Sequence, residues 1–276
     1  MRRLAVALVA LLIAGCGGQA PPPPPAVSVG ADGQSALLAH LYAAALRYYG
    51  SPAHVQNTPD PLAALDSGEI DVAPALTGEV LTRFAPDAAA RSAAQVYRAM
   101  VGALPEGLGA GDYADGTSDK PVVAVTGPTA AAWKAGDLTA LIGRCDSLKP
   151  GAVQGVAVPE TFGTCTPRAP EEFPDAEVLW AALRSGEIDM AWTSAAAPDF
   201  PEDVTMLSDR TALIRAENVV PVFRRNTLSQ TQLRSVNELA GVLDTDALAQ
   251  MRAEVAAGAE PGAVAGAWLD AHPLGH

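Results

Sequence analysis

Short apolar runs alternate along the chain with longer stretches whose apolar residues recur every three to four positions. That is the pattern of strands alternating with amphipathic helices. Residues 27–30 predict a first strand. Residues 34–49 predict a helix carrying Leu37, Leu38, Leu41, Ala45 and Tyr48 at helical spacing before Gly50. A polar strand is expected near 53–56. Asp60-Pro61 then supplies an N-cap acceptor and a proline at the first helical position, opening a short helix that stops at Gly68. Further strands are predicted at 70–73, 122–126, 153–158, 188–192, 204–207 and 219–223. Helices are predicted over 87–104, 137–143 and 174–185, and two more begin at Ser229 and Asp244. Residues 107–111, with Gly at alternate positions, read as a flexible loop. Strand–helix alternation of this kind implies an α/β fold on mostly parallel sheets.

One segment occurs twice. Ala63-Ala64-Leu65-Asp66-Ser67-Gly68-Glu69-Ile70-Asp71 returns as Ala181-Ala182-Leu183-Arg184-Ser185-Gly186-Glu187-Ile188-Asp189, with a single difference at the fourth position. Each copy reads as a helix end, a glycine in the left-handed position that follows it, and the entry to a strand. The copies lie too far apart for a solenoid. They fit two similar lobes, each delivering a loop to one place.

The N-terminus begins with Arg2 and Arg3, followed by an apolar run over residues 4–13 that is too short for a permanent membrane span. This is the build of a secretory signal peptide, here residues 1–15. Its exit, Leu12-Ile13-Ala14-Gly15-Cys16, resembles the lipobox of bacterial lipoproteins, in which the Cys thiol is acylated and the Cys becomes the first mature residue after cleavage. An ordinary signal peptide with an incidental Cys is the alternative. Residues 16–26, with five consecutive prolines, then form an extended tether. Cys145 and Cys165 remain as an even pair in an oxidising compartment, which reads as a disulfide. A nucleophilic cysteine is the rival reading, with no histidine near either in sequence.

Of the 276 residues, 18 are basic and 31 acidic, for a net charge of −13. That balance excludes a basic nucleic-acid groove and disfavours docking to anionic lipid heads. With 49% hydrophobic and 18% charged residues the chain is long and apolar enough to fold. It has no Gly-x-Ser-x-Gly elbow, His-Glu-x-x-His or phosphate loop, and the four histidines show no metal-binding spacing. Neither catalytic residues, nor a metal, nor a cofactor is expected.

The lipobox-like exit, the run Ala64–Glu79 (ALDSGEIDVAPALTGE), the second copy LRSGEIDMAWTS and the stretch ENVVPVFRRNTL together resemble the substrate-binding lipoproteins of osmoprotectant ABC importers. Those bind glycine betaine, choline, carnitine and related solutes. The resemblance implies a two-lobed fold of the periplasmic-binding-protein type II kind, with a cleft between lobes. Lobe I would hold residues 27–119 and 215–276, and lobe II residues 120–214. It also implies an aromatic cage, since a quaternary ammonium offers no hydrogen and is drawn to ring faces. Four positions where the family carries cage tyrosines are here Leu76, Ser194, Glu217 and Pro121.

The ligand-binding candidates are Asp32, Gln34, Thr77, Tyr113, Trp192, Ser194, Glu217 and Asn218. Asp32 and Gln34 fall in the loop after the first strand, where the family makes polar contacts. Thr77 and Asn218 keep the family's residue. Tyr113 and Trp192, with Phe162 and Phe200, are aromatics available to rebuild a cage. Each has a plainer alternative: Trp192 as a core residue, Thr77 as a helix cap, Glu217 as a solvated acid. If Glu217 faces the cleft, it supplies a negative charge to a cationic ligand. The function expected is a monomeric, lipid-anchored solute receptor on the extracytoplasmic face, passing a small cationic or zwitterionic molecule to a permease and its ATPase. The alternative is a solute-sensing or envelope interaction lipoprotein on the same fold, without a transport role.

Overall fold

A computed structural model describes residues 25–198 and 200–275. Residues 1–24, including the signal peptide, Cys16 and nearly all of the tether, lie outside the described residues.

The chain folds around two five-stranded sheets. In the first, β1 (Val27–Ala31) lies between β2 (Ala53–Asn57) and β3 (Val72–Leu76), all parallel. Next to β3 come β10 (Val219–Arg224) and then β4 (Leu108–Ala110). In the second, β6 (Pro150–Val153) lies parallel between β7 (Glu171–Phe173) and β8 (Met190–Ser194). Next to β8 come β5 (Pro121–Thr126) and then β9 (Val204–Met206). Position for position the two orders are the same.

The sheets are less parallel than the pattern predicts. β10 runs antiparallel to β3 and β4, and β5 runs antiparallel to β8 and β9. Both are the strands by which the chain, after leaving one sheet, enters the other. The passage at residues 111–120 leads into β5, and the passage at 207–218 leads into β10. Each therefore starts from the side of its sheet that faces the other sheet.

The helices follow from local signals. Asp60 caps α2 (Pro61–Ser67) by accepting from the Ala63 amide at 3.0 Å, and Asp175 caps α6 (Ala176–Ser185) through the Val178 amide at 2.9 Å. The repeated glycines end both helices in the left-handed conformation, Gly68 at φ 84° and Gly186 at φ 79°. The ninth residue of each copy then binds the neighbouring strand. Asp71 accepts from the Ser28 amide at 2.9 Å at the start of β1, and Asp189 from the Lys149 amide at 2.8 Å just before β6. Beside each, an isoleucine of the repeat fills space over a strand glycine. A Cβ on Gly30 would overlap Ile70, and one on Gly151 would overlap Ile188.

Helix α1 (Ala36–Tyr48) is buried on most of its circumference rather than on one face, with Leu41, Ala43, Ala45 and Leu46 fully inaccessible and Tyr48 turned to solvent. Its alanines let the C-terminal helices α7 (Gln230–Val242), α8 (Thr245–Ala256) and α9 (Pro261–Ala271) close over it and share its core. A second core lies under α2, α3 (Thr77–Phe84) and α4 (Ala93–Ala103). α4 is shorter than the 87–104 pattern because residues 85–92 run non-helically past Pro86.

Three expectations are corrected. The strand read at 153–158 ends at Val153, where the chain turns and Val156 is left 43% exposed. The loop at 107–111 instead contributes β4, an edge strand paired with β10. The helix at 137–143 is a 3-10 helix spanning Leu138–Ser147 and capped by Asp137, whose carboxyl is held below its usual range by hydrogen bonds from Thr139. α5 (Gly127–Trp133), capped by Thr126, was not anticipated. Cys145 and Cys165 are disulfide-bonded, with Cα atoms 5.4 Å apart.

Candidate functional site

A cavity of about 1010 Å³ opens beyond the C-terminal ends of β1, β2 and β3, the place where α/β sheets carry their ligands. The first sheet's loops supply Asp32, Gln34, Asp60, Leu76 and Glu79. The two passages supply Asp119, Arg215 and Glu217, β5 supplies Pro121, and Arg252 comes from α8. The second sheet contributes a loop containing Val158, Glu160 and Thr161. Among the described residues, no side chain lining the cavity is aromatic.

Of the candidates, Asp32, Gln34 and Glu217 come together on this wall. Asp32 also holds its own loop. One carboxylate oxygen accepts from the Gln34 amide at 3.0 Å and from the Ser35 amide and hydroxyl, each at 2.7 Å. Glu217 projects from the returning passage to the start of α3, where it accepts from the Gly78 amide at 2.7 Å and the Glu79 amide at 3.0 Å. Burial pushes its carboxyl up to about 8, with the Glu79 charge acting the same way and the two amides opposing. It is thus not a fully solvated acid. Glu79 is itself raised, by burial and then by Asp119 and Asp32.

The other candidates lie away from the cavity. Trp192 is 2% exposed and packs edge-on to Phe162 at 6.0 Å in the second sheet's core. Strand alternation explains this, because Met190 and Trp192 point to one buried face of β8 and Ala191 to the other. Tyr113 lies against Tyr97 at 4.7 Å, and Phe200 against Trp180 at 5.6 Å. Thr77 is not the cap of α3, for which Leu76 holds that position. Its hydroxyl instead accepts from the Asn218 amide at 3.1 Å. The Asn218 side chain is spent on the carbonyls of Ala114 and Thr117, at 3.2 and 2.7 Å, which ties the two passages together. Ser194 donates to Asp119 and accepts from the Ala196 amide.

Pattern reading missed Glu79, Asp119 and Arg252. Glu79 stood two residues beyond Thr77, inside a quoted motif. Arg252 had no local signal. It reaches from α8 to the buried Asp119, with one nitrogen 2.6 Å away and a further bond to the Ala196 carbonyl at 3.1 Å. The next residue, Lys120, pairs at 2.9 Å with buried Asp209, which also receives the Leu213 and Ile214 amides. Two adjacent residues of the first passage are therefore anchored in opposite directions, one toward α8 and one toward the returning passage.

The comparisons bear on this site. Residues 169–271 match one family. It is described as the substrate binding domain of an ABC-type glycine betaine transport system. The matched stretch runs from the end of the second sheet's long loop, through β10, to the end of α9. Among solved structures, the chain is similar to a glycine betaine/carnitine/choline ABC transporter protein. The TM-score is 0.70 at 17% identity, over 89% of this chain and 98% of that one. It is similar to apo YehZ from Escherichia coli, with TM-score 0.69 and 21% identity, over 90% and 99% of the two chains. An ABC-transporter choline binding protein in complex with choline gives TM-score 0.54 and 16% identity, over 90% and 89%. No curated protein sequence matches the chain. The fold is the two-sheet α/β architecture of periplasmic-binding-protein type II receptors. Among the described residues no helix is long and apolar enough to cross a membrane.

Proposed function

We propose that this chain is the extracytoplasmic solute-binding component of an ABC importer. It captures a small cationic or zwitterionic solute between lobe I (27–119 and 215–276) and lobe II (120–214). The observation that carries the reading is the cavity of about 1010 Å³, walled by loops of the first sheet, both passages and a loop of the second. The family match over residues 169–271 supports it.

The mechanism follows from that wall. A solute entering from solvent meets Asp32, Gln34, Glu79 and Glu217 on one side and residues 157–161 on the other. Bending at the two passages brings the sides together, and the closed form is what a permease reads as loaded. The ion pairs at Asp119 and Lys120 fix the first passage at the end that enters β5. The lipobox-like exit at Cys16 supports a lipid anchor that keeps the receptor beside its permease.

Disruption of the gene in the producing cell should abolish high-affinity uptake of the labelled solute that the purified chain binds. Unchanged uptake would overturn the transport role and favour solute sensing on the same fold. Cys16→Ala should move the protein from the membrane to the soluble fraction, and unchanged fractionation would reject the anchor.

A further inference from the structure

We infer that the cleft selects cations bearing N–H groups over quaternary ammonium ions, and that Glu79 and Glu217 are the residues that receive them. The inference rests on the solute-receptor reading and assigns that site its ligand class.

The first ground is the lining. A trimethylammonium group has no hydrogen to donate, so a dry pocket must hold it by ring faces. The aromatics that pattern reading made available are committed elsewhere, to Phe162–Trp192, Tyr97–Tyr113 and Trp180–Phe200 contacts, and none lines the cavity among the described residues.

The second ground is the balance of charge on that wall. Its four arginines are directed at protein acceptors. Arg83 grips Asp60 at 3.0 and 2.8 Å, and Arg252 grips Asp119. Arg215 donates to the Thr82 hydroxyl at 2.6 Å and to the Ala88 carbonyl, and Arg91 to the Leu213 carbonyl at 3.4 Å. Asp60 and Asp119 are thereby neutralised. Glu79 and Glu217 have no such ion-pair partner, although Arg215, bonded to neutral acceptors, keeps its charge and acts on Glu217. Among the described residues only Oε2 of Glu217 is engaged, by two backbone amides, and Glu79 is held above the usual carboxylate range by burial, Asp119 and Asp32. The half-buried Glu217 beside the exposed Glu79, whose charge acts on it, leaves a place for a cation on this wall. An N–H donor fills it with charge-assisted hydrogen bonds that a methylated nitrogen cannot form.

Binding also carries a pH signature. The charged groups acting on Glu217 are Glu79 on α3 and Arg215 on its own segment, and those acting on Glu79 are Asp119, which pairs with Arg252 of α8, and Asp32 on the first loop. Occupation by a cation favours the ionised pair, so affinity should rise from pH 6 to pH 9 for methylguanidinium, which stays charged throughout.

The test is calorimetric titration of the purified chain with matched solutes: ethanolamine against choline, glycine against glycine betaine, and putrescine and methylguanidinium alone. The expected result is tenfold or tighter binding of at least one N–H cation than of either quaternary compound. Glu79→Gln should weaken that binding at least tenfold with no loss of thermal stability, and Glu217→Gln should flatten the pH rise. Choline or glycine betaine binding as tightly as its N–H partner overturns the inference and leaves the receptor reading intact. Binding of none of these solutes overturns both.

Discussion

The connection from β1 to β2 and that from β6 to β7 join equivalent parallel strands, yet they are built by different means. The first is α1, a helix whose leucines and alanines lie at the centre of the largest core. The second, residues 154–170, has no helix and only the short Phe162–Cys165 bridge. The disulfide to Cys145 fastens it to the 3-10 helix. Around them the two halves repeat one another, from strand order to capping aspartates, C-terminal glycines and isoleucine-over-glycine packing. The comparison teaches that the repeated helix–glycine–strand unit defines each sheet. The crossover beside it can be held by burial or by a covalent link. Both crossovers reach the cavity, the first through Asp32, Gln34, Ser35 and Leu38 and the linked one through residues 157–161.

The comparison can be broken at several strengths. Leu46→Ala, in the fully buried part of α1, should cost about 3–4 kcal/mol in denaturant unfolding. Cys145→Ser with Cys165→Ser should cost about 3 kcal/mol. Its effect should stay local, with faster hydrogen exchange over 154–170 and α1 unchanged. Equal acceleration in both crossovers would show that the halves are not separately held. Gly30→Ala and Gly151→Ala should each cost about 2 kcal/mol, because the new methyl meets Ile70 at the first and Ile188 with Phe173 at the second. Ile70→Val or Ile188→Val on the matching background should recover part of that loss, and no recovery at one site would break the equivalence there. Asp60→Ala and Asp175→Ala, each removing one N-cap, should cost about 1 kcal/mol. The exposed Arg83 partner adds little to the first.

Much of the fold was legible in the sequence because its signals are local. Asp60-Pro61, Ser229 and Asp244 open helices at the expected places, and Ser229 with Gln232 forms a capping box. The two SGEID copies announced two related sheets. What escaped depends on partners distant in sequence. β4 is three residues flanked by glycine and exists only as the edge beside β10. The antiparallel course of β5 and β10 follows from passage between sheets, which no local pattern encodes.

The site divides in the same way. Asp32 and Gln34 follow β1 and Glu217 comes just before β10, and the segments there converge on the cavity. Trp192 is also on a strand, but alternation turns it to the core. Thr77 and Asn218, candidates by resemblance alone, here spend their hydrogen bonds bracing the passages. Arg252 reaches the cavity only because α8 packs against the first passage, a contact spanning more than a hundred residues.

The central claim is that both sides of the cleft clasp one solute. Amide hydrogen exchange tests it most directly, measured with and without a saturating mixture of small amines and methylammonium compounds. The account predicts slower exchange on both walls together, at 32–38 and 77–83 on one side and 157–161 on the other. Protection confined to one wall, or none on either, would contradict it.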